Sequence, residues 1–116
     1  MGADNCIFCK IANGDVPATM LEDGADVLAF RDIAAKAPTH ILVIPRLHIA
    51  SLNDAGDEHQ SLLGTMMLVA RRLAETEGIA TTGYRLVLNT GAQGGQSVDH
   101  MHIHLLGGRS LGWPPG

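Results

Sequence analysis

The sequence predicts an α+β fold in which a sheet of about five short strands packs with one long helix. Three observations predict it. Short apolar stretches alternate with polar residues between turn-forming residues, one longer segment carries apolar residues at helical spacing, and the chain has 116 residues of which 46% are hydrophobic. A chain of this length can bury about two-thirds of its unfolded surface in one core. We therefore expect a single domain over residues 1–116.

The predicted strands are short and end at turn-forming residues. Pro38 and Pro45 bracket the third strand, which fits the inability of proline to donate a hydrogen bond within a ladder. The five strands are expected at about Met20 to Glu22, Val27 to Arg31, His40 to Ile44, Tyr84 to Asn89 and Met101 to Leu106.

The long helix is predicted between the third and fourth strands. Asp57 and Glu58 place negative charge in its first turn, and Gly78 suits its C-terminal end. Met67 and Leu68 widen its apolar arc beyond what one sheet face covers, so either a second subunit or the core of a monomer covers this part. The apolar positions at helical spacing are Leu62, Leu63, Met66, Val69, Ala70 and Leu73.

The C-terminal segment Leu111-Gly112-Trp113-Pro114-Pro115-Gly116 cannot be a helix or a central strand. Consecutive prolines fix an extended path instead. The single tryptophan therefore lies on a stiff tail, which either folds back on its own domain or docks on a partner subunit.

The composition argues against several classes of partner. The formal net charge is −4, with eight Lys plus Arg and no basic run, which disfavours nucleic acid or an anionic membrane as the main partner. One Trp, one Tyr and two Phe are too few for a base-stacking platform. No apolar segment approaches the roughly 20 residues of a membrane span, and residues 1–5 lack the features of a secretion signal. We expect a cytoplasmic protein.

Three of the six histidines, His100, His102 and His104, alternate along one apolar run. Alternate residues of a strand share a face, so the three side chains are expected to point the same way with neighbours roughly 7 Å apart. Valine or isoleucine would stabilise such a strand better than imidazole. Two functional interpretations remain open: metal ligation, or nucleophilic and acid–base catalysis.

A glycine-rich loop, residues 89–97, precedes the histidines. Such a loop can direct successive backbone N–H groups at an anion, although Gly-Gly is also common in ordinary turns. Beside three histidines the loop predicts a phosphate site. A phosphate held by backbone amides needs no basic surface, which agrees with the acidic composition.

The run His100-Met101-His102-Ile103-His104-Leu105-Leu106 resembles the histidine-triad (HIT) signature, in which histidine alternates with hydrophobic residues. The chain as a whole resembles the Hint branch, the histidine-triad nucleotide-binding proteins. The transferase branch carries Gln where this chain has His104, and the dinucleoside-polyphosphate hydrolases lack the Trp-Pro-Pro-Gly ending. Further matching segments are Cys6-Ile7-Phe8-Cys9-Lys10-Ile11, Ala29-Phe30-Arg31-Asp32-Ile33, Ala37-Pro38-Thr39-His40, Val43-Ile44-Pro45, Gly94-Gly95-Gln96-Ser97-Val98 and Gly107-Gly108-Arg109.

The resemblance implies a five-stranded antiparallel sheet with one long and one short helix, paired by a two-fold axis into a ten-stranded dimer. The tail, residues 109–116, would extend toward the partner's active site. The implied activity is hydrolysis of the P–N bond of purine nucleoside 5′-phosphoramidates, such as adenosine phosphoramidate, through a covalent nucleotidyl-histidine and without a cofactor for the chemistry. Two alternatives are a nucleotide-binding or protein-interaction module whose hydrolysis is incidental, and a metalloprotein that uses the triad itself as ligands.

The resemblance also implies a role for each site residue. His102 would attack the α-phosphorus, His104 would donate to the phosphate oxygens, and His40 would orient the triad from behind. Asp32 would accept hydrogen bonds from the ribose hydroxyls, since an ionised carboxylate only accepts. The remaining implied nucleotide contacts are Asn89, Gly95, Gln96, Ser97 and Trp113, with Ile7, Phe8, Ile11, Phe30, Ile33 and Leu42 forming the base pocket.

The two cysteines, Cys6 and Cys9, are too few for a disulfide framework. They are reduced thiols, a redox pair or half of a metal site, and the segment from Cys6 to Ala12 can form a turn or two of helix. The resemblance adds His48 and His100 as partners in a candidate structural zinc site. In that case His100 is structural, and catalysis rests on His102 and His104.

Overall fold

The computed structural model describes residues 5–116 and shows the predicted five-stranded antiparallel sheet with one long and one short helix. Residues 1–4, which include most of the segment judged to lack a secretion signal, lie outside this range. The strands are β1 (Met20–Asp23), β2 (Val27–Arg31), β3 (Thr39–Pro45), β4 (Tyr84–Val87) and β5 (Ile103–Gly107), and the helices are α1 (Ile7–Ala12) and α2 (Gln60–Thr76). No helix of the described part is long and apolar enough to cross a bilayer.

The strands lie in the order β1-β2-β3-β5-β4, so the last strand of the chain is inserted next to the central, fully buried β3. Leu42 is opposite His104 in this pairing, and His40 is opposite Leu106. Because alternate residues share a face, His40, Leu42 and His104 lie on the same side of the sheet.

The two faces of the sheet bury two separate apolar clusters. On one face, α2 packs its buried residues Met66, Val69, Ala70 and Leu73 against strand residues such as Val43. On the other face, α1 places Phe8 over Leu28, Phe30, Leu42 and Ile44. This second face is the one that carries His40 and His104.

Helix α2 agrees with its predicted span, with a difference at its start. A separate 3-10 turn, Asp57–His59, precedes Gln60, so the predicted acidic residues lie in that turn and not in the helix itself. Gly78 follows the helix with φ of 77°, a conformation that glycine adopts without steric cost. Met67 and Leu68 are 50% and 47% exposed, so the sheet of this chain does not cover the wide part of the apolar arc.

Four of the five predicted strands have different limits in the structure. The first ends one residue later, at Asp23, and the third extends one residue further at each end, so Pro45 is its last residue instead of bounding it. The last strand begins at Ile103 instead of Met101, because the backbone N–H of Met101 donates to the carbonyl of Ile49 and not to a neighbouring strand. The fourth strand ends at Val87 instead of Asn89. The tail is tied down by Arg85, which donates to the carbonyls of Leu111 and Gly112.

Trp113 is 83% exposed, so the tail does not fold its tryptophan back on its own domain. This removes the first of the two alternatives for the tail.

Candidate active site

The backbone carbonyl of His100 decides which ring nitrogen of His102 carries the proton. Its Nδ1 lies 2.7 Å from the carbonyl oxygen of His100, in a buried position. A carbonyl oxygen only accepts, so Nδ1 carries the proton and donates. In the neutral imidazole this leaves the lone pair on Nε2, the nitrogen that a nucleophile needs.

A hydrogen bond from His40 decides which ring nitrogen of His104 carries the proton. The backbone N–H of Lys36 donates to Nδ1 of His40 at 3.0 Å, so the neutral His40 ring carries its proton on Nε2. That Nε2–H lies 2.9 Å from Nδ1 of His104 and donates to it. His104 is therefore left with an Nε2–H, a donor suited to an anionic oxygen.

The pKa values support neutral rings at both positions. Burial lowers the pKa of His104 to about 4, with further lowering by the neighbouring His102 and His40. Burial also lowers the pKa of His40, and the carboxylate of Asp32 opposes this. Both rings are neutral at neutral pH, which is the state that the hydrogen bonds require.

Asp32 lies directly beside this pair of histidines. Its Oδ2 is 3.4 Å from Nε2 of His40, and its Oδ1 accepts from the backbone N–H of Ala34 at 2.8 Å. The ligand-type atoms of Asp32, His40 and His104 lie within 4.8 Å of one another. A cation bound there would displace the proton that His40 donates to His104. We therefore interpret this cluster as a hydrogen-bonded group and not as a metal site.

The three triad imidazoles do not converge on one point. The ring of His100 faces Cys6 and Cys9, while the rings of His102 and His104 lie with centroids 5.0 Å apart. His100 and His102 precede β5, so the expectation that all three share one face of a strand is wrong. Within residues 5–116 the triad is not among the groups whose ligand atoms lie close enough for one ion. This is contrary to the alternative in which the triad itself binds a metal.

A cavity of about 610 Å³ opens in front of His102 and His104. One end is apolar, and Phe8 forms part of its wall, edge-on to Phe30 with centroids 5.6 Å apart and to His102 at 5.1 Å. The lining residues that the sequence predicted are Ile7, Phe8, Ile11, Phe30, Asp32, Ile33, His40, Leu42, Asn89, Ser97, His102 and His104. The cavity therefore joins an apolar end to a polar end, as a nucleotide site does.

The cavity also has walls that sequence reasoning missed. Val16, Pro17 and Ala18, between α1 and β1, line the cavity, and so do Lys36 and Leu106. Lys36 could have been predicted from the sequence, because it lies in the short segment between the candidate site residues Asp32 and His40. Ile33 lines the rim with its side chain fully exposed.

Four residues predicted for catalysis or nucleotide binding do not line the cavity: His100, Gly95, Gln96 and Trp113. The side chain of Gln96 instead accepts from the backbone N–H of Gly91 and donates to two backbone carbonyls, so it holds the shape of the loop. Gly95 has a φ of 85°, a backbone conformation that glycine adopts without steric cost. Both residues shape the loop that presents Asn89 and Ser97.

Cys6, Cys9, His48 and His100 form a second cluster, behind α1. The Sγ of Cys6 lies 3.3 Å from Nδ1 of His100, and the Sγ of Cys9 lies 3.3 Å from Nδ1 of His48 and 3.5 Å from Nδ1 of His100. In a tetrahedral zinc site with Zn–S of about 2.3 Å and Zn–N of about 2.0–2.1 Å, sulfur and nitrogen ligands lie about 3.5 Å apart. The four residues fit a metal ion of this kind.

The surroundings of His100 suit a ligand. Its Nε2 donates to the carbonyl of Pro45 at 2.8 Å, which leaves the lone pair on Nδ1, facing the two cysteines. Burial lowers the pKa of His100, which favours the neutral form that metals bind. A backbone carbonyl behind a ligating histidine is a common outer partner in metal sites.

Comparison with known proteins agrees with this geometry. The chain is 51% identical to the purine nucleoside phosphoramidase of Escherichia coli over 110 residues, covering 95% of this chain and 92% of that protein. It is 54% identical to an uncharacterized HIT-like protein of Synechococcus elongatus over 114 residues, covering 98% and 99% of the two chains. A crystal structure of a HIT family hydrolase from Legionella pneumophila superimposes with a TM-score of 0.95 at 53% identity, covering 97% of this chain and all of that one.

The antiparallel sheet, the paired histidines and the cavity, together with these relatives, define the class of protein as a histidine-triad hydrolase. The chain belongs to the HIT domain family, whose sequence profile matches residues 13–111.

Proposed function

We propose that this protein hydrolyses the P–N bond of purine nucleoside 5′-phosphoramidates through a covalent intermediate on His102. One observation carries the proposal: the backbone carbonyl of His100 holds the proton of His102 on Nδ1, at the wall of a cavity large enough for a nucleotide. The 51% identity to a purine nucleoside phosphoramidase supports the substrate class.

The first displacement forms a bond between Nε2 of His102 and the α-phosphorus and breaks the bond from phosphorus to the amine. The amine leaves with the electron pair of that bond and takes up a proton from solvent, which is balanced when the attacking water of the second displacement gives up a proton. The Nε2–H of His104 donates to a non-bridging phosphate oxygen, where charge grows in the transition state. In the second displacement, water attacks phosphorus, frees His102 and releases the nucleoside 5′-monophosphate. Splitting the reaction in this way replaces one difficult step by two easier ones.

The two ends of the cavity divide the recognition of the nucleoside. Asp32 Oδ2 accepts from the ribose hydroxyls, and the apolar walls from α1, Phe30 and Leu42 enclose the base. These walls offer no hydrogen bonds that distinguish adenine from guanine. Asn89 and Ser97, at the polar end, contact the phosphate or the departing amine.

The proposal extends to the assembly and the metal. The Cys6, Cys9, His48 and His100 cluster holds a structural zinc ion, and no cofactor takes part in the chemistry. One domain over residues 1–116 pairs as a homodimer through the exposed apolar arc at Met67 and Leu68. The tail, residues 109–116, with its exposed Trp113, reaches toward the partner's site. The protein acts in the cytoplasm, on nucleotides and not on nucleic acid or membrane.

The test is amine release from adenosine 5′-phosphoramidate by the wild type and by His102→Ala, with AMP binding followed by calorimetry. We expect turnover to vanish in the variant while AMP binding survives. His59→Ala is the matched control, since His59 accepts from the backbone of Gly56 far from the cavity, and it should keep full activity. Tight AMP binding without turnover in the wild type would instead favour a nucleotide-binding module.

A further inference from the structure

His100 connects the cysteine cluster to the reacting histidine. Its side chain faces Cys6 and Cys9 through Nδ1, while its own backbone carbonyl accepts the Nδ1–H of His102 at 2.7 Å. The residue is fully buried. Any shift of the His100 ring that moves its backbone therefore changes the hydrogen bond that orients His102.

Helix α1 forms a second connection between the two sites. Cys6 is its N-cap, accepting from the backbone N–H of Cys9, and Phe8 lies between the two cysteines. The ring of Phe8 is edge-on to His100 with centroids 5.8 Å apart and to His102 at 5.1 Å. The helix thus places one side chain against both the candidate ligand and the candidate nucleophile.

The N-terminal end of α1 has its anchor in this cluster. A helix of six residues is not stable by itself in water, so it needs tertiary contacts at both ends. Arg46 donates to the carbonyl of Ala12 and holds the C-terminal end. At the other end, the side chains of Cys6 and Cys9 join α1 to His48 and His100, which come from distant parts of the chain.

We propose that the Cys6, Cys9, His48 and His100 cluster is a positioning centre for His102, so that metal occupancy controls the orientation of the nucleophile. His100 is a positioning residue in this scheme and touches no substrate. This inference rests on the proposed function for the identity of the nucleophile and goes beyond a metal that only stabilises the fold.

The physical reason is the difference in stiffness between metal ligation and the contacts that replace it. A bound ion fixes the directions of all four ligands, and therefore the ring and backbone of His100. Without the ion, thiols make only weak hydrogen bonds to imidazole nitrogen. The His100 carbonyl and Phe8 then have freedom to move away from His102, and the tautomer with a free Nε2 lone pair is no longer imposed.

The experiment compares zinc-loaded and chelator-stripped full-length protein, with the metal content measured in each. The direct readout is the ¹H–¹⁵N signal of Nδ1–H of His102 in protein with labelled histidine, assigned by its loss in His102→Asn. We expect a sharp, exchange-protected signal in the loaded protein and a broadened or absent signal after stripping. In parallel, kcat for adenosine 5′-phosphoramidate should fall about 10- to 100-fold, the range typical of losing outer partners in metal sites, and return when zinc is added back.

A second variant keeps the inference testable if the stripped protein unfolds. His48→Asn removes a candidate ligand that lies outside α1 and does not contact His102. It should lower the affinity for zinc. It should also weaken the His102 Nδ1–H signal and lower kcat, at a temperature where circular dichroism shows a folded chain. His59→Ala should leave both readouts unchanged. A folded, metal-free protein with the same His102 signal and the same kcat would overturn the inference, and so would a wild type that binds no zinc.

The two failures are distinguishable. If no form of the protein turns over the phosphoramidate, the proposed function fails, but the His102 signal still reports whether metal positions the ring. If turnover is present and indifferent to metal, the proposed function survives and the positioning role does not.

Discussion

Nε2 of His40 lies 2.9 Å from Nδ1 of His104, and this contact decides which proton His104 can offer to a ligand. The backbone N–H of Lys36 donates a hydrogen bond to Nδ1 of His40. The neutral ring of His40 therefore carries its proton on Nε2. The two histidines come from β3 and β5, which are neighbours in the sheet although they are far apart in the sequence.

Replacing the donor on the phosphate should lower turnover more than replacing the residue behind it. We expect His104→Ala to lower kcat about 10²- to 10³-fold, the usual cost of a lost donor at a developing charge. His40→Ala should lower kcat less, because His104 can still adopt the tautomer with its proton on Nε2, although nothing then selects it. Since both act through one hydrogen-bond chain, the double variant should lose little more than His104→Ala. Additive losses, measured by steady-state kinetics, would show that the two histidines act separately.

The free energy of unfolding should decrease as the pH falls below the ordinary pKa of histidine, about 6.5. The unfolded chain binds a proton on His104 below about pH 6.5, whereas the folded chain does so only at a pKa of about 4. Unfolding therefore takes up protons in this window, so stability is full above the window and is lost as the pH falls through it. The contribution of His104 is at most about 1.4 kcal/mol per pH unit.

Urea unfolding at about pH 7, 6 and 5 measures this slope. His40 and His100, whose pKa values burial also lowers, add to it in the same direction. His104→Asn should show a smaller slope than the wild type, whatever its stability at neutral pH. An unchanged slope would mean that His104 is not the group responsible.

Asp32→Asn should weaken binding of ribonucleotides. A hydrogen bond to a charged acceptor contributes about 1.5–3 kcal/mol, so the Kd for AMP should rise about 10- to 100-fold. Calorimetry with a 2′,3′-dideoxy analogue is the control, since it lacks the hydroxyls and should bind the variant and the wild type alike. A dideoxy analogue that loses as much affinity as AMP would indicate that Asp32 acts on the histidines and not on the ribose.

A charge on the exposed arc of α2 should disrupt the proposed dimer. Met67→Glu and Leu68→Glu would each bury a carboxylate in an apolar interface, which costs several kcal/mol unless the charge is paired. We expect light scattering to show a dimeric wild type and monomeric variants, with Lys10→Glu, a change at an exposed position of α1, remaining dimeric. A monomeric wild type would contradict the proposed assembly.

The fold could be predicted well from local patterns. Apolar stretches between turn-forming residues located all five strands, including β3, which is buried on both faces, and helical spacing located α2. The limits of β4 and β5 were less accurate. They depend on tertiary hydrogen bonds such as that from Met101 to Ile49, which no local pattern contains.

The sequence by itself determined that three histidines alternate along one apolar run, that a glycine-rich loop precedes them, and that two cysteines are three residues apart. The tertiary structure alone decided what these residues touch. Cys6 meets His100 across 94 residues, Asp32 lies against His40, and Gln96 donates to the carbonyl of Ala50 instead of lining the cavity. Periodicity specifies which face of an element a side chain occupies, but the neighbours on that face depend on the order of the strands, and therefore on how the whole chain packs.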